Sequence, residues 1–418
     1  MIDLKEYQFS ELMDGFFDGP HATPTPSDKG PVFLGIKNIK AEGGIELSQI
    51  RHISENEYPK WTKRVVPKKN DLVFSYEATL HRYALIPDGF RGCLGRRMAL
   101  IRANKELLDP TFLYYYFLSP YWKAFIETVK ISGATVDRIS IIDFPNFKIS
   151  IPNLETQIKI SNTVSSYDDL IENNNQRIKL LEEMAEEIYK EWFVRFRFPG
   201  YKDATFLDKE GNKVAHGTKG AIPEGWTDGE VLDLVELKKG NIITKSTISV
   251  GNIPVVAGGL TPAYYHNEAN TSSPTITISS SGANAGFVNM YYEDIWVSDC
   301  SYIDSKMTNW LFFFYCTFKT RQKEVFHLQR GAAQPHVYSK DIHKLKMKCP
   351  PEEILNDFEK LIKPFFQEID ILISKNQILQ ETRDLLLPRL ISGKLSVEHL
   401  ELEENLNMAA EPEPTYKI

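Results

Sequence analysis

The chain has 418 residues, 42% hydrophobic and 25% charged, with a formal net charge of −7. That length allows two domains of roughly 150 residues plus connecting helices. Met1 to Glu6 show no basic stretch leading into an apolar one, and no run approaches a bilayer span, so a cytoplasmic, membrane-free protein is expected. Cys93, Cys300, Cys316 and Cys349 have neither paired nor metal-ligand spacing, which argues for buried reduced thiols over a disulfide framework or a zinc site.

The first module opens with a Pro- and Gly-punctuated loop from Gly19 to Gly30, followed by β-like runs at 31–36 and 71–75. Asp109 to Lys130 reads as helix, so an α+β module with short strands and a supporting helix is expected. The extended chain hands over to a spacer at Phe144-Pro145 and Ile151-Pro152. A short helix from Leu154 to Ser165 is expected to end at Ser165-Ser166, which would cap a longer one. Between Phe198 and Trp226 the composition is that of a linker. Strand-like runs follow at 253–256, 274–279 and 294–297, with the loop 279–286 between the last two. A second helical segment is expected to restart at Pro364 and stop at Pro388, and residues 401–418 form an acidic tail expected to be disordered.

The two halves are one unit written twice. Apolar residues at Val164, Tyr167, Ile171, Ile178, Leu181, Ala185, Ile188 and Trp192, with Asn174, alternate spacings of three and four, which is a coiled-coil seam. The same seam returns 198 positions later at Ile362, Phe365, Ile369, Leu372, Asn376, Leu379, Arg383, Leu386 and Leu390. Gly133-Ala134 likewise matches Gly331-Ala332, Lys148 matches Lys346, and the aromatic run 112–117 matches 310–315. From about Phe112 to Phe193 the chain is half of a tandem duplication. The domain plan is therefore 1–153, first module; 154–197, first helical spacer; 198–350, second module; 351–400, second helical spacer; and the tail 401–418.

The fold class is α+β: two globular modules, each followed by a long helix, the two helices forming an antiparallel coiled coil with pseudo-twofold symmetry. Opposing Asn174 to Asn376 sets Ile171 against Leu379, Leu181 against Ile369 and Ala185 against Phe365, so the asparagines are expected to fix the register.

Charge is partitioned along this plan. Lys plus Arg outnumber Asp plus Glu by 20 to 18 in residues 1–153 and by 18 to 15 in 194–350, whereas the helical segments are acidic, 4 to 9 over 154–193 and 7 to 14 from 351 on. Basic faces on the modules suit phosphate contacts. No phosphate-binding loop, amino-methyltransferase motif, zinc-protease motif or nucleophile elbow is present, so the chain is not expected to be an enzyme by itself. The aromatic run reads as buried core rather than a base-stacking platform, because surfaces reading two different sequences should diverge whereas scaffold should repeat. Readout is then expected at about 19–105 and 238–300, with additions near Arg330 to His336.

The order module, rod, module, rod, the spacer run 153–157 leading into 178–185, the opening Pro223-Glu224-Gly225-Trp226 and the ending 386–395 together resemble the specificity subunit of Type I restriction-modification systems. The resemblance implies two target recognition domains, each reading half of a split double-stranded DNA site, and helical regions that dock modification (methyltransferase) subunits, two of them. Restriction subunits would add translocation and cleavage. S-adenosylmethionine, ATP and Mg2+ would belong to those partners, with no cofactor or metal in this chain. A Type II-like methylating and cleaving system, or a non-DNA coiled-coil scaffold, are the alternatives.

Phosphate contacts in the first module are expected from Lys63, Arg64, Lys68, Lys69, Arg82, Arg91, Arg96 and Arg97, and in the second from Lys238, Lys239, Lys245, Arg330 and Lys340. Base readout is expected from Asn38, His81, Arg82, Ser280, Asn284, Gln334 and His336, whose side chains suit base edges.

Overall fold

A computed structural model describes residues 3–133, 136–331 and 334–397. The tail expected at 401–418 and the repeated alanines Ala134 and Ala332 lie outside the described residues. The chain divides into two compact units, one holding the first module to Glu172 together with the chain from Asn376 on, the other Asn173–Lys375.

In the first unit the order is β1 (Lys5–Gln8), α1 (Phe9–Leu12), β2 (Met13–Asp18), β3 (Ser27–Leu34), β4 (Arg51–His52), α2 (Tyr58–Trp61), β5 (Leu72–Ser75), β6 (Tyr83–Leu85), β7 (Gly92–Leu94), β8 (Met98–Ala103), α3 (Pro110–Leu118), α4 (Pro120–Val129) and β9 (Lys148–Ile151). A four-stranded sheet has the order β2-β8-β5-β6 and a three-stranded sheet the order β4-β3-β7. Within the latter β3 and β7 are parallel, while β1 and β9 pair antiparallel as a separate two-stranded sheet. The loop expected to reach Gly30 is shorter, since β3 starts at Ser27. The single helix expected over 109–130 is two. Asp109 caps α3 by accepting the Phe112 N–H at 2.7 Å, and Pro120 holds Ser119 extended so that it ends α3 and caps α4. Phe9, Phe74, Phe112, Phe117, Trp122 and Phe144 fill the core between sheet and helices, all fully buried. The aromatic run is core, as its repetition implied.

The second unit carries β10 (Phe206–Leu207), β11 (Lys213–Val214), β12 (Ile222–Pro223), β13 (Thr227–Glu230), β14 (Lys238–Lys239), β15 (Ile253–Val256), β16 (Tyr264–His266), β17 (Thr275–Ser279), β18 (Val288–Tyr291), β19 (Trp296–Val297), β20 (Cys300–Asp304), α6 (Leu311–Thr320), α7 (Gln322–His327), α8 (Ser339–Ile342) and β21 (Lys346–Cys349). Its sheets repeat those of the first unit: β14-β20-β17-β18, β16-β15-β19 with β15 parallel to β19, and β13 against β21. The segment expected to be a plain linker folds into a three-stranded sheet, β11-β10-β12, because Phe206 is buried and the His216 ring packs between Tyr201 and Phe206.

The two long helices are α5 (Leu154–Tyr189), continued by a π-helical turn over Lys190–Val194, and α9 (Glu352–Ile391). In the second unit Arg177 meets Glu368 at 3.0 Å, and further along Tyr189 and Trp192 pack on Phe358, so the two segments run antiparallel. In the first unit Arg383 meets Asp168 at 2.5 Å, the Tyr115 hydroxyl donates to the same carboxylate at 2.6 Å, and Ile160 and Val164 share a core with Leu387 and Leu390. Asn174 and Asn376 are both buried within their helices, at 8% and 7% exposure, where a seam polar residue would lie.

Neither helix breaks where a break was expected. Ser165 and Ser166 do not cap anything: their hydroxyls donate back to the Asn162 and Thr163 carbonyls at 3.3 and 2.8 Å, a pattern compatible with a continuing helix. Pro364 is exposed, where the backbone bond it removes is replaced most cheaply by water, while Phe358, Ile362, Phe366 and Ile369 are buried in the core and the helix continues across it. Pro388 does not stop α9 either; the helix runs to Ile391 and ends at Gly393, where φ is 69° and the Leu395 N–H bonds the Arg389 carbonyl.

One buried acid in this framework predicts a pH response. Glu359 on α9 accepts the backbone N–H groups of Phe312 and Phe313 at 3.0 and 3.1 Å, yet burial pushes its carboxyl up to about 7. A folded-state value above the unfolded one means that the native protein binds the extra proton between about pH 4.5 and 7. Stability of the second unit should therefore rise as pH falls through 7, by up to about 1.4 kcal/mol per pH unit. Urea midpoints at pH 7, 6 and 5, with and without Glu359→Gln, check this; equal slopes in both proteins would remove Glu359 as the source.

Candidate nucleic-acid interface

In the first module three segments meet beside the end of β5. The Tyr76 N–H bonds the Arg97 carbonyl at 3.1 Å, joining the β5–β6 loop to the β7–β8 turn. Ala78 N–H bonds the Asp137 carbonyl at 3.1 Å, and Ile139 N–H bonds the Tyr76 carbonyl at 2.7 Å, joining both to the hairpin that Ile131 and Arg138 close. Gly19, just after β2, bonds the Met98 carbonyl at 2.7 Å and brings Asp18 alongside.

The second module builds the same junction bond for bond. Ser280 N–H meets the Asp299 carbonyl at 3.0 Å, Gly282 N–H the Pro335 carbonyl at 3.1 Å, Val337 N–H the Ser280 carbonyl at 2.9 Å, and Gly240 N–H the Cys300 carbonyl at 2.9 Å. Strand register agrees: Ser75 pairs with Met98 as Ser279 pairs with Cys300, and Asp18 pairs with Ala99 as Lys239 pairs with Ser301. The equivalence explains two glycines. Gly282 sits at φ 81° where the first module forces Ala78 to φ 73°, a conformation that costs an alanine about 1 kcal/mol or more. At the hairpin tips, a Cβ on Gly133 or Gly331 would fall 2.6 or 2.7 Å from the carbonyl oxygen three residues on, so both copies need glycine there.

The backbone repeats, but the side chains on it do not. In the first junction Arg64 pairs with Asp18, and Arg97 Nε lies 3.0 Å from Glu77 while finding no hydrogen-bond partner along its own N–H. The Tyr76 hydroxyl is buried without a partner too, and burial, with the Asp18 and Glu77 carboxylates nearby, pushes it up to about 12. In the second junction the corresponding residues are Lys239 for Asp18, Ser280 for Tyr76, Ser281 for Glu77, Asp299 for Arg97 and His336 for Arg138. Ser281 donates its hydroxyl to the Asp299 carboxylate. Sequence reasoning missed Asp18, Tyr76, Glu77, Arg138, Ser281 and Asp299, because acids and small hydroxyls do not stand out when basic clusters are sought.

Of the residues expected to bind DNA, several fall on or beside the junctions: Arg64, Arg97, Lys239, Ser280, Gln334 and His336. His81 lies on the β5–β6 loop with φ 61°, between Tyr83 and Glu127 at 3.1 Å each. Lys63, Lys68, Arg96, Lys238 and Lys245 are exposed and form no ion pair among the described residues. Arg82 is half-buried at the end of the same loop, its carbonyl accepting the Ser75 N–H. Others are committed inside the chain. Asn38, expected to read bases, is 6% exposed; it donates to the Glu46 and Gln49 carbonyls and accepts from the Gly35 N–H, so it holds a loop instead. Ser280 is 9% exposed and contributes through its backbone. Asn284 half-faces the Gly258 carbonyl at 3.4 Å. Arg91 is clamped bidentately by Glu55, Lys69 meets Asp88 at 3.2 Å, Arg330 meets the buried Asp341 at 2.6 Å, and Lys340 lies over the Tyr338 ring. The exposed pairs Lys69–Asp88 and Arg91–Glu55 are weak enough to exchange for a phosphate, whereas Asp341 is buried.

No described helix is long and apolar enough to cross a membrane, and the described residues hold no group of three or more His, Cys, Asp or Glu fit for a metal. All four cysteines are buried and unbridged, and burial pushes the Cys93 and Cys300 thiols up to about 12.

The profile of the Type I restriction modification DNA specificity domain matches the chain twice, over residues 26–183 and 223–382. The chain is 26% identical over 381 residues to the MjaIX specificity subunit of Methanocaldococcus jannaschii, covering 84% of this chain and 83% of that one. It is 22% identical to the HindI specificity subunit of Haemophilus influenzae, covering 84% and 90%. Among solved structures, the S subunit of the M. genitalium Type I system shares the fold, with a TM-score of 0.55 at 19% identity over 93% of this chain and 96% of that one.

Proposed function

We propose, for a chain that belongs to the Type I restriction modification DNA specificity family, that each module reads one half of a bipartite double-stranded DNA target. The observation that carries this is the junction built twice on one backbone with different side chains. A shared scaffold with exchanged polar groups suits two recognition surfaces of one design and two specificities. The paired helices α5 and α9 set the gap between half-sites, with Asn174 and Asn376 fixing their register, and they dock two modification subunits.

Chemistry belongs to those partners. Methyl transfer from S-adenosylmethionine to adenine falls to the modification subunits, and ATP- and Mg2+-dependent translocation and cleavage to restriction subunits. This chain supplies the address and no catalytic group.

Methylome mapping tests the reading. The chain, expressed with the methyltransferase encoded beside it in a host lacking such systems, should modify adenines in a split, asymmetric motif with a fixed gap. Unmodified DNA despite an active partner would favour an interaction scaffold.

A further inference from the structure

Resting on the reading of this chain as a DNA-specificity subunit, we infer that one station shared by the two junctions, Arg97 in the first module and Asp299 in the second, decides which base edge each half-site must present. Both residues immediately precede the strand that starts at Met98 or Cys300, and both carbonyls receive the junction's linking N–H. Both side chains are held from the neighbouring loop, Arg97 beside Glu77 and Asp299 by Ser281. A side chain held in place before binding loses less freedom on contact.

The station cannot be a phosphate contact in both modules, because an aspartate carboxylate repels phosphate. It can read bases in both. A guanidinium is donor-only and suits guanine O6 and N7, whereas a carboxylate is acceptor-only and suits the amino group of cytosine or adenine. The adjacent station changes the other way, from Asp18 to Lys239, so at these two stations each module carries one cation and one anion in reversed order. The Arg97 side chain is 33% exposed with Glu77 3.0 Å from its Nε, so the acid orients the guanidinium while part of it stays open to a base edge. The first half-site should therefore carry guanine where Arg97 reaches it, and the second an amino-bearing base opposite Asp299.

The full chain in complex with its methyltransferase, used to select bound duplexes from a randomised pool, tests this with Arg97→Ala, Arg97→Lys, Asp299→Ala and Asp299→Asn. The unaltered chain should return two half-sites; if it returns none, the specificity-subunit reading itself has failed. Asp299 variants should lose discrimination at one position of one half-site, about 5- to 150-fold, and leave the other half-site intact. Arg97 variants should do the reverse. The lysine and asparagine substitutions keep the side-chain bulk and carry the test if an alanine variant does not fold. Selected motifs that stay unchanged, or affinity lost evenly over all sequences as for a phosphate contact, overturn the assignment.

Discussion

Phe358→Ala should destabilise the second unit by about 3–5 kcal/mol. Phe358 is fully buried at the start of α9, and its ring lies 4.8 Å from Phe193, 5.6 Å from Trp192, 6.2 Å from Tyr189 and 6.3 Å from Phe313. It thus touches the end of α5 and the module helix α6 at once. Truncation leaves a void among rings that are braced by both elements and have little room to collapse. For a unit of this size each kcal/mol moves the melting temperature by about 2–4 °C, so a fall of roughly 6–20 °C is expected in calorimetry. Leu361→Ala, one turn on and 44% exposed, is the control and should shift it by only about 1–2 °C. Similar shifts for both variants would mean that the helix start is not packed as described.

What could be read in the sequence, and what could not, follows from where the duplication kept its spacing. The offset of 198 holds for Gly133 and Gly331, Arg138 and His336, and Ile139 and Val337, so the hairpins and everything downstream could be aligned by eye. It becomes 204 for Tyr76 and Ser280, 202 for Arg97 and Asp299, and 221 for Asp18 and Lys239. Surface loops accept insertions without disturbing the sheet they connect. The junctions therefore match in hydrogen bonds while their sequences are out of register, and only the structure could pair Arg97 with Asp299. The helices failed differently. Pro364, Pro388 and the Ser165-Ser166 pair are local signals for breaks, and each was overridden by a continuous apolar face packed on its own unit. Local propensity is a weak prior when one face of a helix is buried along its length.

The same contrast between appearance and commitment governs the basic residues, and it predicts which of them DNA will register. Lys63 and Lys68 are exposed and form no ion pair among the described residues, whereas Lys69 is paired with Asp88 and Arg91 with Glu55. A phosphate contact made by an unpaired lysine releases a counterion outright. One made by a lysine or arginine that must first leave a carboxylate brings that carboxylate's charge close to the DNA. Replacing Lys63 and Lys68 by glutamine should lower the slope of log K against log salt by about 1.8 and weaken binding at 0.1 M salt roughly 60-fold, without altering the preferred motif. The Lys69→Gln and Arg91→Gln pair should do markedly less to the slope, because a cation already neutralised by its own carboxylate releases fewer counterions on contact. Binding isotherms of the assembled complex between 0.05 and 0.3 M salt separate the two pairs. Equal slopes would show that both carboxylates swing away on binding, and that the ion pairs of the free chain do not predict its contacts with DNA.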